Sequence, residues 1–363
     1  MAKKIFIAST GQNSGKTTTS LSLMFLARKK YGRIGFIKPL GPKPSTYNGL
    51  AMDKDAALMA GVFGLDGDIE YMSPVVLYPD STRKVLDGEI RSEVLLDKIR
   101  QATAELEKRC DFLVLEGSGH SGVGSVIGMN NAKIAKTMQA PVMIIAGGGI
   151  GNTIDSVSLN LALFRQEQVA VKMVLLNKLI PAKRESSLHY LRRAFAGESF
   201  RVDGGFNYTP VLANPTLGRI SKILGCPLSG DVREVLRIAH HVQLGAASAQ
   251  RVADLLEDSS LLLVNSSRDE LLVMLASLYN LPEYRRKIAG LVIPGLAPVS
   301  KITQKILADS NIPYIRTEIT NAEAFTRITS DVSKITVDDR EKIDLIRTLA
   351  DTEIDFEAID ALL

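Results

Sequence analysis

Five short runs are apolar at consecutive rather than alternate positions: Lys4 to Ala8 (KIFIA), Ile34 to Pro39 (IGFIKP), Phe112 to Gly117 (FLVLEG), Pro141 to Gly148 (PVMIIAGG) and Lys172 to Lys178 (KMVLLNK). A strand that is apolar on both faces must be covered on both, which is the condition of a parallel sheet between two helical layers. The stretches between them, such as Leu95 to Lys108, have the amphipathic spacing of covering helices. The pattern predicts an α/β fold with a doubly wound, mostly parallel sheet. A smaller alternation follows Pro227: a strand in Ser260 to Ser267, a helix over Asp269 to Tyr279, a strand in Ile288 to Gly295, a helix near Val299 to Ser310 and a strand over Pro313 to Ile319. A chain of 363 residues has room for two cores. The expected division is 1–225 and 226–363, the second part carrying a C-terminal helical tail. The boundary is placed where Pro215, Gly218, Gly225, Pro227 and Gly230 interrupt the pattern.

Composition narrows the function classes. Hydrophobic residues at 45% and charged residues at 23% are those of an ordinary globular protein, not of a disordered or fibrous one. A net charge of +4 gives little long-range field for nucleic acid, and the absence of Trp removes the best base-stacking residue. Cys110 and Cys226 are the only cysteines and have no metal-ligand spacing, which fits two inert thiols in a reducing cytosol. The apolar run Ile5 to Ala8 is too short for a signal sequence, and Ala140 to Ile150 is broken by Pro141 and glycines. The expectation is a cytoplasmic protein with no membrane or nucleic-acid partner. Adjacent His240 and His241 fall in a helical pattern and read as a helix face rather than a metal site.

Chemistry concentrates after the first strand, in Ser9-Thr10-Gly11-Gln12-Asn13-Ser14-Gly15-Lys16-Thr17-Thr18-Thr19, followed by the helical pattern of Leu21, Leu23, Met24, Leu26 and Ala27. Small residues let successive backbone N–H groups turn toward a phosphate, and the helix opening at Lys16 adds its positive end. Gly11, Gln12, Asn13, Ser14, Gly15, Lys16, Thr17 and Thr18 are thus the candidate nucleotide-binding residues. Lys16 would reach the β- and γ-phosphates, and the Thr17 hydroxyl would join a Mg²⁺ shell. The strict G-x-x-x-x-G-K-[ST] pattern wants glycine at position 10, where Thr10 stands.

In a doubly wound sheet, ligands collect at the carboxyl ends of the strands. Glu116 ends one strand there and could hold the metal or its water; the other reading is a solvated strand end. Lys38 ends another and could neutralise a transferring phosphoryl group, or could be an exposed lysine. Asp53 and Asp55 follow a loop with Pro42, Pro44 and Gly49 and could supply a second carboxylate, although Asp55 could equally be a helix N-terminal charge.

Together, Gly15-Lys16-Thr17, Lys38-Pro39, Asp55 and Glu116-Gly117-Ser118-Gly119 resemble the dethiobiotin synthetase-like branch of P-loop proteins over about residues 1 to 225. That branch includes the ATP-dependent domain of cobyrinic acid a,c-diamide synthases and the N-terminal region of long phosphotransacetylases. The resemblance implies ATP and Mg²⁺ as cofactors, with Thr17, Asp55 and Glu116 as metal ligands. It also implies Lys16 and Lys38 as the catalytic lysines on the reacting phosphoryl and acyl-type oxygens, and Asn177 at the adenine. The second part resembles the DRTGG module through Gln243 to Ser248, Asn265 to Asp269, Ala289 to Val292 and Lys334-Ile335-Thr336-Val337. Arg268 and Asp269 could bind an anion there or form a structural cap.

Because the sequence stops at Leu363, no acetyltransferase domain is expected after that module, and neither cysteine sits in a nucleophile turn. The expected function is that of a Mg-ATP-binding protein whose slow ATPase activity makes it a nucleotide- or metabolite-responsive regulator. The alternative is an ATP-dependent carbon–nitrogen ligase that activates a carboxylate or carbamate. A DNA-partitioning ATPase is disfavoured, since such proteins carry an extra lysine early in the loop, where this chain has Thr10 and Gly11. Expected partners are the nucleotide, a small carboxylate metabolite, a second copy in a homodimer, and a protein partner at the C-terminal domain.

Overall fold

Every residue of Phe112–Glu116 is buried, as a strand that is apolar on both faces requires. In the computed structural model, which describes residues 2–330 and 335–363, this strand lies inside a six-stranded parallel sheet. Its strands are β1 (Lys3–Ser9), β2 (Ile34–Ile37), β5 (Phe112–Glu116), β6 (Val142–Gly147), β7 (Val171–Asn177) and β8 (Arg201–Gly204). A separate hairpin, β3 (Pro44–Tyr47) and β4 (Leu50–Asp53), lies between β2 and β5 in the chain. The spatial order is β8-β7-β6-β1-β5-β2, so the chain reverses direction across the sheet beside β1. The crevice at such a reversal is where ligands of doubly wound sheets bind.

Helices α1 (Lys16–Lys30), α2 (Lys54–Phe63), α3 (Ser92–Arg109), α4 (Asn131–Thr137), α5 (Ile150–Gln166) and α6 (Arg184–Ala194) accompany these strands. Phe6, Leu113, Leu115, Ile144, Val157, Leu161 and Phe164 belong to the main core. Cys110 is buried in it, and burial pushes its thiol up to about 12, so it stays protonated and inert.

The chain divides into two compact units, Met1–Thr209 with Ile335–Leu363, and Pro210–Lys334. The second contains a five-stranded sheet in the order β9-β13-β12-β11-β10, where β9 is Leu228–Ser229, β10 His241–Leu244, β11 Ser260–Leu263, β12 Ile288–Ile293 and β13 Tyr314–Arg316. Only β9 runs antiparallel to its neighbour. Helices α7 (Leu217–Leu224), α8 (Asp269–Tyr279), α9 (Lys301–Ser310) and α10 (Asn321–Ser330) belong to this unit.

Three expectations need correction. The boundary lies near 210 rather than 225, because α7 buries Leu217, Ile220 and Leu224 in one cluster with Leu261, Leu263, Val292 and Ile315 of the second sheet. The C-terminal tail belongs to the first unit, not the second. Its helices α11 (Arg340–Glu353) and α12 (Phe356–Asp360) return there, with α11 packed along α1 and the Phe356 ring 5.7 Å from that of Phe112. Asp360 receives Lys3 at 3.0 Å, Lys30 at 3.0 Å and the Tyr31 hydroxyl, which fixes α12 at the amino end of the sheet. Finally, His241 opens strand β10, because a parallel partner in Ser260–Leu263 outweighs the local helical spacing. Of the stretch Lys334 to Val337, Lys334 lies outside the described residues and the remainder falls in the first unit. Among the described residues no helix is long and apolar enough to cross a membrane.

Candidate functional site

The turn from β1 into α1 is curled rather than extended. Asn13 (φ 58°) and Gly15 (φ 99°) both take left-handed backbone. Gly15 cannot be replaced without conflict, since a Cβ there would stand 2.0 Å from Asn177 Nδ2. The N–H groups of Gly11 through Gly15 donate to no acceptor among the described residues, whereas the flanking Thr10 N–H pairs with Ile145 O and the Thr19 N–H with Gly15 O. These residues are partly or fully exposed, and a run of open N–H groups at a helix N-terminus is the arrangement that receives anions. Lys16 folds back over this loop. Its Nζ donates to Ser9 Oγ at 2.7 Å and Gly119 O at 2.9 Å, at the carboxyl ends of β1 and β5. Thr17 and Thr18 follow in the first turn of α1, and exposed Gln12 and Asn13 form the crest of the loop.

Beside the loop lies a buried charge cluster. Lys38 Nζ donates at 2.8 Å to Asp55 Oδ2, at 2.8 Å to Glu116 Oε1 and at 3.2 Å to Gly117 O. Burial alone would lower the Lys38 pKa, but attraction by Glu116, Asp55 and Asp53 outweighs it and holds the ammonium above its ordinary value. Glu116 Oε2 accepts the Ser20 hydroxyl at 2.7 Å, and Thr17 Oγ1 lies 3.4 Å from both Asp55 Oδ1 and Glu116 Oε1. The sequence-predicted Lys16, Thr17, Lys38, Asp55 and Glu116 therefore share one place at the carboxyl edge. Lys38 is not an exposed lysine, and Glu116 is not a solvated strand end.

Asp53 has a different task. It caps α2, accepting the Asp55 N–H at 2.9 Å and the Lys43 N–H at 2.9 Å. Burial raises its pKa, and the neighbouring Asp55 charge adds to the shift. Asn177 lies against the loop itself, donating from Nδ2 to Ser14 O at 3.0 Å, while its Oδ1 is buried without a partner.

Several contributors had not been singled out in the sequence. Ser9 and the Gly119 carbonyl receive Lys16; Ser20, one helical turn beyond it, faces Glu116. The hairpin that brings Asp53 and Asp55 to the cluster turns at Asn48 (φ 47°) and Gly49 (φ 79°). An Asn-Gly pair is the strongest short hairpin signal a sequence offers, and it was available here.

Thr17, Asp55 and Glu116 provide only hard oxygen donors, which suits Mg²⁺. Among the described residues no group of three or more His, Cys, Asp or Glu side chains could hold a metal ion. A Mg²⁺ ion here would therefore complete its shell with phosphate and water oxygens, as it does beside nucleotides.

At the carboxyl edge of the second unit's sheet, Arg268 donates to Gly245 O and Ala247 O, each at 3.2 Å, and pairs with Glu270. Its donors go to structure and to the expected ion pair, while no side chain caps the helix that opens at Asp269. Arg316 is likewise engaged by the carbonyls of Ile293 at 3.0 Å, Gly295 at 2.6 Å and Ala297 at 3.0 Å. Ser266 Oγ and Asp269 Oδ1 are buried without partners.

The chain is 26% identical over 211 residues to an ATP-dependent dethiobiotin synthetase of Clostridium botulinum strain 657, covering 56% of this chain and 88% of that protein. It is 23% identical over 321 residues to a phosphate acetyltransferase of Nitratidesulfovibrio vulgaris, covering 86% of this chain but only 44% of that protein. The ATP complex of a Cyanothece McdA variant shares 13% identity at a TM-score of 0.37, covering 57% of this chain and 84% of that one, a likeness too slight to carry an argument. The AAA_26 family model, described as an AAA domain, matches residues 3–223. With its phosphate-type loop and buried Lys–Asp–Glu cluster inside that span, the chain belongs to the AAA_26 family.

Proposed function

We propose that the first unit binds Mg-ATP and turns it over slowly, and that nucleotide occupancy is the signal through which the protein regulates its partners. The observation that carries this reading is the run of open N–H donors from Gly11 to Gly15, capped by the Lys16 ammonium at the start of α1. In that arrangement Lys16 exchanges its bonds to Ser9 and Gly119 for the β- and γ-phosphates. Thr17, Asp55 and Glu116 would hold Mg²⁺, which when bound neutralises phosphate charge. The buried, partnerless Asn177 Oδ1 suits a hydrogen-bond donor such as the adenine amine.

The state of Lys38 favours slow turnover. A lysine serving a transferring phosphoryl group must present its ammonium to that group, yet here the ammonium is held by two carboxylates and a carbonyl. ATP and Mg²⁺ would have to loosen this latch, so that binding and rearrangement are coupled. The match to a phosphate acetyltransferase extends through both units, which supports a nucleotide-bearing accessory role for the pair.

A second reading, an ATP-dependent ligase acting on a carboxylate or carbamate, is favoured by the match along 88% of a dethiobiotin synthetase. Both readings include homodimerisation as an expectation. Titration calorimetry with ATP and Mg²⁺ tests the shared step: wild-type protein binds, and Lys16→Ala loses at least about tenfold in affinity, roughly 1.4 kcal/mol, while keeping its thermal transition. Equal binding by both proteins would remove the cradle. Screening small carboxylates and diamines for stimulation of phosphate release separates regulator from ligase, since strong stimulation by one of them supports the ligase.

A further inference from the structure

The segment after β5 is braced at nearly every peptide. Asn131, itself 1% exposed, accepts the Ser118 N–H at 3.0 Å and donates to the Ser118 and His120 carbonyls, each at 2.7 Å. Asn160 Oδ1 accepts the Ser121 N–H at 2.9 Å and its hydroxyl at 2.6 Å. The same segment touches both lysines of the site, through Gly119 O to Lys16 and Gly117 O to Lys38. Within Ser118 to Ser121 only His120 is exposed.

The His120 ring has a defined orientation. Its Nδ1 accepts the Gly122 N–H at 3.2 Å, so the proton of the neutral ring resides on Nε2 and leaves an N–H donor on the far edge. The His120 backbone begins one peptide unit from the carbonyl that holds the Lys16 ammonium. A donor carried on so firmly fixed a backbone costs little to immobilise when it meets a ligand.

We propose that His120 is an additional nucleotide contact whose Nε2–H donates to a γ-phosphoryl oxygen of ATP held by the Gly11–Thr18 loop. The inference rests on the nucleotide reading above and extends it to discrimination of ATP from ADP. ATP and ADP share the phosphates nearest the loop, so a donor to the γ-phosphoryl group distinguishes the two nucleotides. The competing role for the ring, closing the turn at Gly122, requires Nδ1 alone.

Two substitutions separate these roles. His120→Asn retains an acceptor near the Nδ1 position but no donor at Nε2, and His120→Gln retains a donor near Nε2. Affinities for ADP and for a non-hydrolysable ATP analogue, both with Mg²⁺, are measured for each variant. The expected result is unchanged ADP affinity throughout, a loss of about tenfold for the ATP analogue in His120→Asn, and retention within about threefold in His120→Gln, as one phosphate hydrogen bond predicts. An unchanged ATP-to-ADP preference in His120→Asn overturns the contact while leaving the nucleotide reading intact. Wild-type protein that binds neither nucleotide overturns the nucleotide reading itself.

Discussion

The parallel sheet of the first unit and the mostly parallel sheet of the second treat their carboxyl edges in opposite ways. In the first unit, Lys38, Asp55, Glu116, Thr17 and Ser20 converge on one buried cluster beside a loop whose N–H groups are open. In the second, Arg268 and Arg316 spend most of their donors on backbone carbonyls, and Arg268 also pairs with Glu270. Both edges come from the same strand-to-helix geometry, so fold alone does not make a site. The difference is one of proportion: Lys38 is held chiefly by two carboxylates, whereas the two arginines are held chiefly by main-chain carbonyls that the fold itself must satisfy.

The sharpest way to break this comparison is Lys38→Met. Removing one partner of a buried ion pair leaves two uncompensated carboxylates and should cost about 3–5 kcal/mol in urea unfolding. Mg²⁺ should restore much of that loss if the cluster is a cation seat; a loss that Mg²⁺ leaves untouched would show that the carboxylates cannot take a divalent ion.

Ser20→Ala removes a hydroxyl from Glu116 and should destabilise by about 2 kcal/mol, the worth of a buried hydrogen bond to a charged acceptor. A neutral result would mean that Glu116 is satisfied from elsewhere.

Asp360, at the opposite end of the first sheet, provides a control. Burial raises its pKa, but hydrogen bonds from Tyr31, Lys30 and Lys3 outweigh that and hold the carboxyl below its ordinary value. Its contribution is therefore complete above the unfolded-state pKa of about 4 and is lost as pH falls through the native value. Asp360→Asn should cost about 1 kcal/mol at neutral pH, since two of its partners are exposed lysines, and the gap should close in acid. Mg²⁺ should not rescue it, in contrast with Lys38→Met, and a rescue would make the cation effect nonspecific.

The smallest effect belongs to the second edge. Ser266 Oγ has no partner to lose, so Ser266→Ala should change stability by less than about 0.5 kcal/mol. A loss well above 1 kcal/mol would reveal a polar partner there and erase part of the contrast between the edges.

Much of the site was legible because its parts are local. Gly15-Lys16-Thr17 lies between an apolar strand and a helix, and Lys38 and Glu116 stand at the ends of recognisable strands. The hairpin at Asn48-Gly49 was legible but passed over, so the residues around Pro44 read as a loop. Strand β8 was missed because Arg201–Gly204 has neither an apolar run nor clean alternation, and it forms through pairing with β7. Strand β10 was lost to helical spacing for the same reason.

By itself, the sequence determined the parallel α/β architecture and the phosphate-type loop, because burial on both faces and a strand–glycine–helix turn are written in neighbouring residues. Tertiary structure alone decided that Lys38 is clasped by Asp55 and Glu116, that Asn131 and Asn160 brace the loop bearing His120, and that the C-terminal helices return to the first unit. Those outcomes depend on groups separated by tens to hundreds of residues. Their pairing is set by which buried polar groups need a partner once the core has closed, and no local pattern carries that information.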